Sequence, residues 1–204
     1  MLNDDTVFEK NTKAYLTQLN GISFESIAGR LGARATEDTV WLSMLNTGYA
    51  ISPGGIAGPD EKRPSYDICV ILCKYLLLCP EAPRPNREWV GYRDVKDAGP
   101  LTHYFSSAVE GAVGSHFSGK LGRLKAAAGQ LGGYPPALDI RYDLAAQFDA
   151  LPMVPLVLLF NDADDEFPAT GSILFERRAE DYLDAECLAM LGHLLVQRLK
   201  QLGT

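Results

Sequence analysis

The chain is predicted to be an α+β protein, with a mostly antiparallel sheet that ends in a C-terminal strand hairpin and is packed by several helices. Three observations carry this. Met153 to Phe160 is a run of eight residues without a charge, followed by a polar loop and a returning apolar run, Ile173-Leu-Phe175. That is the pattern of two buried strands joined antiparallel. Leu188, Leu191, Leu195, Leu199 and Leu202 recur at steps of three and four, the stripe of an amphipathic helix. Helices cluster early and strands pair late, which disfavours a doubly wound sheet, where the two alternate.

The elements follow in order. Asp4 or Asp5 can cap a first helix with Val7, Phe8, Ala14, Tyr15 and Leu19 on its apolar face, stopped by Asn20-Gly21. Ser23 opens a short second helix through Leu31, closed by Gly32. Thr39 to Leu45 and Tyr49 to Ile51 form a hairpin about Asn46-Thr47-Gly48. Pro53 to Pro64 holds three glycines and three prolines and reads as a loop. Ser65 to Cys79, apolar on nearly every face, is a buried helix stopped by Pro80. Trp89 to Asp94 is a short strand, and helices follow over Leu101–Phe117 and Ser118–Leu131. Asp139 to Phe148 alternates through Ile140, Tyr142, Leu144 and Ala146 as a half-buried strand. The last helix is capped by Asp184 and closed by Gly203.

A chain of 204 residues with 47% hydrophobic and 22% charged residues is one globular domain over 1–204. Residues 1–35 can stand as a helical N-terminal appendage. The net charge of −7 disfavours nucleic acid, whose phosphates call for a positive surface, and an anionic membrane for the same reason. The longest uncharged apolar run, Met153–Phe160, is too short to span a bilayer. The acidic start has no basic segment followed by an apolar one, so the chain is expected in the cytoplasm, with its four cysteines reduced.

Candidate chemistry is sparse. Asp162, Asp164, Asp165 and Glu166 can offer oxygens to a hard cation. The calcium-loop pattern fails, because Phe167 and Ile173 stand where glycine and glutamate belong. The favoured reading is a structural turn with an Asp capping backbone amides, Phe167 buried as an anchor, and Arg177 or Arg178 offsetting the charge. No metal site is assigned. Cys69 and Cys73 share a helix face, but Val70, Ile71, Leu72 and Leu76 around them mark core thiols. His103, His116 and His193 lack metal-ligand spacing, and no nucleophile-elbow motif is present. Pro53–Gly58 lacks the phosphate-loop fingerprints. Thr36–Val40 is too acidic for a recognition helix, and Lys120, Arg123 and Lys125 read as a solvated face. Trp89, Arg93, Asp94 and Tyr104 gather about a strand-to-helix junction, with His103 beside the helix start, and Arg93 there can fix an anionic ligand or pair with a carboxylate. The candidate ligand-binding set is therefore Trp89, Arg93, His103, Tyr104, Asp164, Asp165 and Glu166, with no catalytic residue and no cofactor assigned.

The order of these segments also carries a resemblance. Tyr75-Leu-Leu77, Glu88-Trp-Val-Gly-Tyr-Arg-Asp94, Tyr104-Phe105, Leu151-Pro-Met-Val-Pro155, Asp164-Asp-Glu-Phe-Pro-Ala169, Ile173-Leu-Phe175 and Tyr182-Leu183 together resemble the DUF3786 family, a domain of unknown function. The likeness covers most of the chain and is weakest over the first 35 residues. Its sharpest motif is Asp164–Ala169 with the following Ile-Leu-Phe. The resemblance implies a setting in anaerobic bacteria and archaea, some of whose members carry a four-cysteine iron–sulfur domain that this chain lacks. It implies no catalytic residues. Two readings of function follow. One is a cytoplasmic accessory or binding protein in anaerobic redox or corrinoid metabolism, with a redox or methyl-transfer protein as partner. The other is a small-molecule or metal-binding enzyme using Arg93 and the 162–166 loop. Whether the chain is an enzyme is open between them, and a DNA-binding regulator is opposed by charge.

Overall fold

The computed structural model describes residues 4–204, with side chains from Lys10 onward apart from that of Asp60. The expected caps Asp4 and Asp5 and the apolar Val7 and Phe8 fall outside the side chains described. Helix α1 (Asp4–Leu19) lies along α3 (Tyr66–Leu77), and Asn11 donates to the Tyr66 hydroxyl at 3.4 Å. Helix α2 (Phe24–Leu31) buries Phe24, Ile27 and Leu31 and ends at Gly32, where φ is 63°. A Cβ at Gly32 would lie 2.8 Å from Pro152 Cβ, so left-handed backbone and close approach both call for glycine.

The first sheet is an antiparallel meander of β1 (Arg34–Ala35), β2 (Val40–Met44), β3 (Thr47–Ser52) and β4 (Gly55–Ala57), in that order. Two expectations are corrected here. Met44 pairs with Thr47, so the turn is Leu45-Asn46 rather than Asn46-Thr47-Gly48, with φ of 47° and 59°. Two-residue turns with positive φ match strand twist, and this outweighs the strain of a leucine there. The glycine- and proline-rich stretch after Ser52 is not loop throughout, because Gly55–Ala57 returns on β3 with Ile51 opposite Ile56. Thr36–Thr39 is not helical and Val40 opens a strand, so no recognition helix lies over Thr36–Val40.

The second sheet has the order β5-β8-β7-β6, all antiparallel: β5 (Trp89–Gly91), β6 (Leu144–Leu151), β7 (Val154–Asn161) and β8 (Thr170–Glu176). The expected hairpin is present, with Leu156 opposite Phe175 and Phe160 opposite Gly171. Strand β6 begins at Leu144, not Asp139, because its partner has run out: Leu144 pairs with Phe160 at the end of β7. Ile140 and Tyr142 are consequently exposed. Strand β5 stops at Gly91, and Tyr92–Asp94 coil into a 3₁₀ turn instead of extending it.

The expected helix over 101–117 is built as α4 (Thr102–Tyr104), a π-helical stretch (Phe105–Glu110) and α5 (Gly111–Phe117). Helix α6 (Leu121–Gln130) starts later than Ser118 because Gly119 takes φ 68°. Helix α7 (Ala185–Leu202) is capped by Asp184, whose carboxylate accepts the Cys187 N–H at 2.9 Å. The core lies between one face of the second sheet (Phe148, Leu156, Leu158, Phe160, Ile173 and Phe175) and the helices. Leu45 N–H donates to the Ala150 carbonyl at 2.9 Å and ties the two sheets together. Cys69, Cys73 and Cys187 are buried free thiols. Among the described residues no helix is long and apolar enough to cross a membrane.

Candidate functional site

Strand β5 covers β8 only from Trp89 opposite Glu176 to Gly91 opposite Leu174. The chain then turns away, leaving the outer edge of β8 bare at Ser172 and Ile173. An unpaired N–H on a partly buried edge needs an acceptor. Glu110 supplies it: its carboxylate accepts the Ile173 N–H at 3.0 Å. Two glycines let the helix come this close. A Cβ at Gly171 would meet the Glu110 carbonyl at 3.1 Å, and one at Gly114 would meet the Ala169 carbonyl at 2.7 Å.

The gap between this helix and the 92–94 turn is a cleft of about 500 Å³. Thr102, Ser106 and Glu110 line one side, Arg93 and Asp94 the other, with Ser172 and Leu174 contributed by β8. Phe105 stacks on Tyr92 with ring centroids 4.2 Å apart, and Tyr92 donates its hydroxyl to the Ala185 carbonyl at 2.8 Å, pinning the 3₁₀ turn to the start of α7. The ring of Phe105 sits where a side chain at 192 would otherwise be, since a Cβ on Gly192 would lie 2.7 Å from it. Ser106 and Glu110 both fall on the π-helical stretch, a feature that recurs at functional sites because it re-aims side chains within a helix.

The electrostatics are uneven. Burial pushes the half-buried Glu110 carboxyl above its ordinary value, against the opposing pull of the Ile173 N–H and of Arg93. Arg93 is largely exposed at the rim and leans on Asp94, Nε to Oδ2 3.8 Å. Burial also pushes the Tyr92 phenol up to about 12, which keeps it a neutral donor.

Of the candidate ligand-binding set, Arg93 lines this cleft, with its neighbour Asp94, and the others do not. Trp89 pairs with Glu176 in β5. His103 is exposed on the helix start, its carbonyl accepting the Ser107 hydroxyl at 2.8 Å. Tyr104 faces α7, where its hydroxyl meets His193 Nδ1 at 3.0 Å, and His193 Nε2 meets the Gln197 amide nitrogen at 2.8 Å. Asp164, Asp165 and Glu166 lie on the β7–β8 connection. Asp164 accepts the N–H groups of Glu166 and Phe167 at 2.9 and 2.7 Å, while Asp162 accepts those of Gly119 and Ala163 at 2.6 and 2.8 Å. The amide offset is thus present, but the arginine offset is not. Arg177 pairs with Glu88 and Glu180, and Arg178 pairs with Glu176. Phe167 is also not an anchor: it is 67% exposed, since the Asp164 turn holds the loop without it. Among the described residues, no three His, Cys, Asp or Glu side chains converge as a metal centre.

Glu110 was missed by sequence reasoning. Its signal was present: it is the sole charged residue between His103 and His116, on a helix otherwise made of neutral side chains.

A family model described as a domain of unknown function, DUF3786, matches residues 23–198. The chain belongs to the DUF3786 family. The match leaves out α1 and takes in the cleft, the Asp164 turn and most of α7. No curated protein and no solved structure matches this DUF3786 chain.

Proposed function

We propose that this DUF3786 domain is a binding protein that takes a small polar molecule into the Arg93–Glu110 cleft. One observation carries the reading: a half-buried carboxylate on a π-helical stretch borders a cleft of about 500 Å³ and uses a backbone amide as its one hydrogen-bonded partner among the described residues. Pockets of this volume suit small ligands, and a few convergent polar groups within them fix orientation. Thr102, Ser106 and Ser172 supply hydroxyls, and Leu174 an apolar surface.

The setting we propose is a cytoplasmic accessory protein of anaerobic redox or corrinoid metabolism, acting beside a redox or methyl-transfer protein. Family resemblance supports the setting, and the cleft supports the binding role. Thermal-shift screening of small-metabolite pools, with Glu110→Gln and Arg93→Ala as controls, tests the role. Ligands whose stabilisation of the parent protein is changed in one or both variants are expected. Stabilisation that is indifferent to both variants would move the site elsewhere. Affinity capture from an anaerobe extract that recovers no redox or methyl-transfer protein would count against the setting.

A further inference from the structure

We infer that the ligand of this cleft carries an ammonium group, held against the Glu110 carboxylate; the inference rests on the cleft being a binding site. The cleft presents two carboxylates, Glu110 and Asp94, and one guanidinium, Arg93. Arg93 already leans on Asp94 at 3.8 Å, out at the exposed rim. Glu110, the more buried acid, keeps a backbone N–H as its direct partner. A carboxylate taken partly out of water loses hydration that one neutral amide replaces only in part. The group that completes the site is therefore a cation small enough to enter beside Ser106 and Ser172. An amine fits better than a hard metal ion, which takes six to eight oxygens in the case of calcium, whereas Glu110 and Asp94 are the two carboxylates bordering the cleft. Leu174 gives an apolar surface for a short alkyl body attached to that amine.

The test is a titration followed by backbone amide NMR on the full chain, at fixed ionic strength. Four probes are compared: butylammonium, γ-aminobutyrate, butyrate and magnesium chloride. Butylammonium and γ-aminobutyrate are expected to shift the amides of Ser106, Ser172 and Ile173, with butyrate and magnesium silent. Glu110→Gln keeps an oxygen for the Ile173 N–H and should weaken amine binding by about tenfold or more, as for loss of one charged hydrogen bond. Arg93→Gln should tighten amine binding, since it removes a positive charge from the cleft. Parent-like circular dichroism spectra and a single cooperative melting transition for both variants are the control for folding. Butyrate binding lost in Arg93→Gln, or a magnesium response lost in Glu110→Gln, would overturn the ammonium inference while leaving a binding cleft in place. Silence from all four probes would overturn it too, and the metabolite screen would then decide separately whether the cleft binds at all.

Discussion

Tyr75 donates its buried hydroxyl to the Leu31 carbonyl at 2.9 Å. The same oxygen accepts the Met153 N–H at 3.1 Å. One side chain on α3 therefore satisfies the last carbonyl of α2 and an amide of the β6–β7 turn. These come from parts of the chain 44 and 78 residues away. The ring packs beside Tyr182, with centroids 5.7 Å apart.

Tyr75→Phe keeps that ring and removes the oxygen, stranding a part-buried donor and a buried acceptor. The expected loss is about 1–3 kcal/mol, the cost of leaving such groups unpaired. Urea denaturation monitored by circular dichroism measures it. A variant as stable as the parent would mean that the two backbone groups find other partners.

Arg198 on α7 plays the matching part at the β2–β3 turn. Its guanidinium donates to the Met44 and Leu45 carbonyls at 3.2 and 2.7 Å, to Thr47 Oγ1 at 2.8 Å and to the Tyr49 hydroxyl at 2.8 Å. The fork holds a turn whose buried leucine has φ 47°. A lysine ammonium cannot span four acceptors from one planar group. Arg198→Lys should therefore cost about 1.5–3 kcal/mol, in the range of a lost charged hydrogen bond. Arg198→Lys together with Asn46→Gly should recover a small part of that, because glycine relieves the left-handed strain at the exposed turn residue, whose φ is 59°, without removing a buried side chain. A double variant no more stable than the single one would refute the strain argument.

Strong periodicity made much of the fold legible. The leucine spacing of α7, the apolar block of α3 and the two runs of β7 and β8 each state their structure locally. Where the sequence misled, a partner elsewhere decides. Ile140 and Tyr142 alternate like strand residues but lie beyond the end of β7. Gly55–Ala57 has loop composition but is captured by β3. The cleft was half legible. Arg93 announces itself beside Trp89 and Tyr92. Glu110 becomes meaningful only once β5 ends early and leaves the Ile173 N–H to be satisfied.

The acidic loop should behave as a turn and not as an ion site. The N–H groups of Glu166 and Phe167 hold the Asp164 carboxyl below its ordinary value. A depressed carboxyl stabilises the fold above the unfolded-state pKa, and this is lost as pH falls through the lower folded-state value. Asp164→Ala should lower the melting temperature at neutral pH and remove that acid-side contribution. Asp165→Asn and Phe167→Ser should each stay within about 0.5 kcal/mol of the parent, as for ordinary surface substitutions. Calcium and magnesium should leave the melting temperature unchanged. A rise of several degrees with either ion, absent in Asp165→Asn, would make the loop a cation site.

Glu110 predicts the opposite pH behaviour. Burial raises its carboxyl above the ordinary range, with the Ile173 N–H and Arg93 opposing. A raised carboxyl binds its proton more tightly in the folded state. Its contribution to stability is therefore fully present below the unfolded-state pKa and is lost as pH climbs through the raised folded value. The charged groups facing it across the cleft are Arg93 and Asp94 on the 92–94 turn. The β8 side offers the neutral Ser172 and Leu174, and Tyr92 titrates far above this window at about 12. Stability should consequently fall from mildly acid pH toward neutrality by an amount that Glu110→Gln abolishes, since glutamine keeps the acceptor and has no proton to lose. Melting curves collected across that interval for both proteins give the difference directly. An Arg93→Gln protein should show a larger fall than the parent, because the nearest positive charge is gone. Parallel curves for the parent and Glu110→Gln would show that Glu110 titrates as an ordinary exposed acid and that the cleft does not desolvate it.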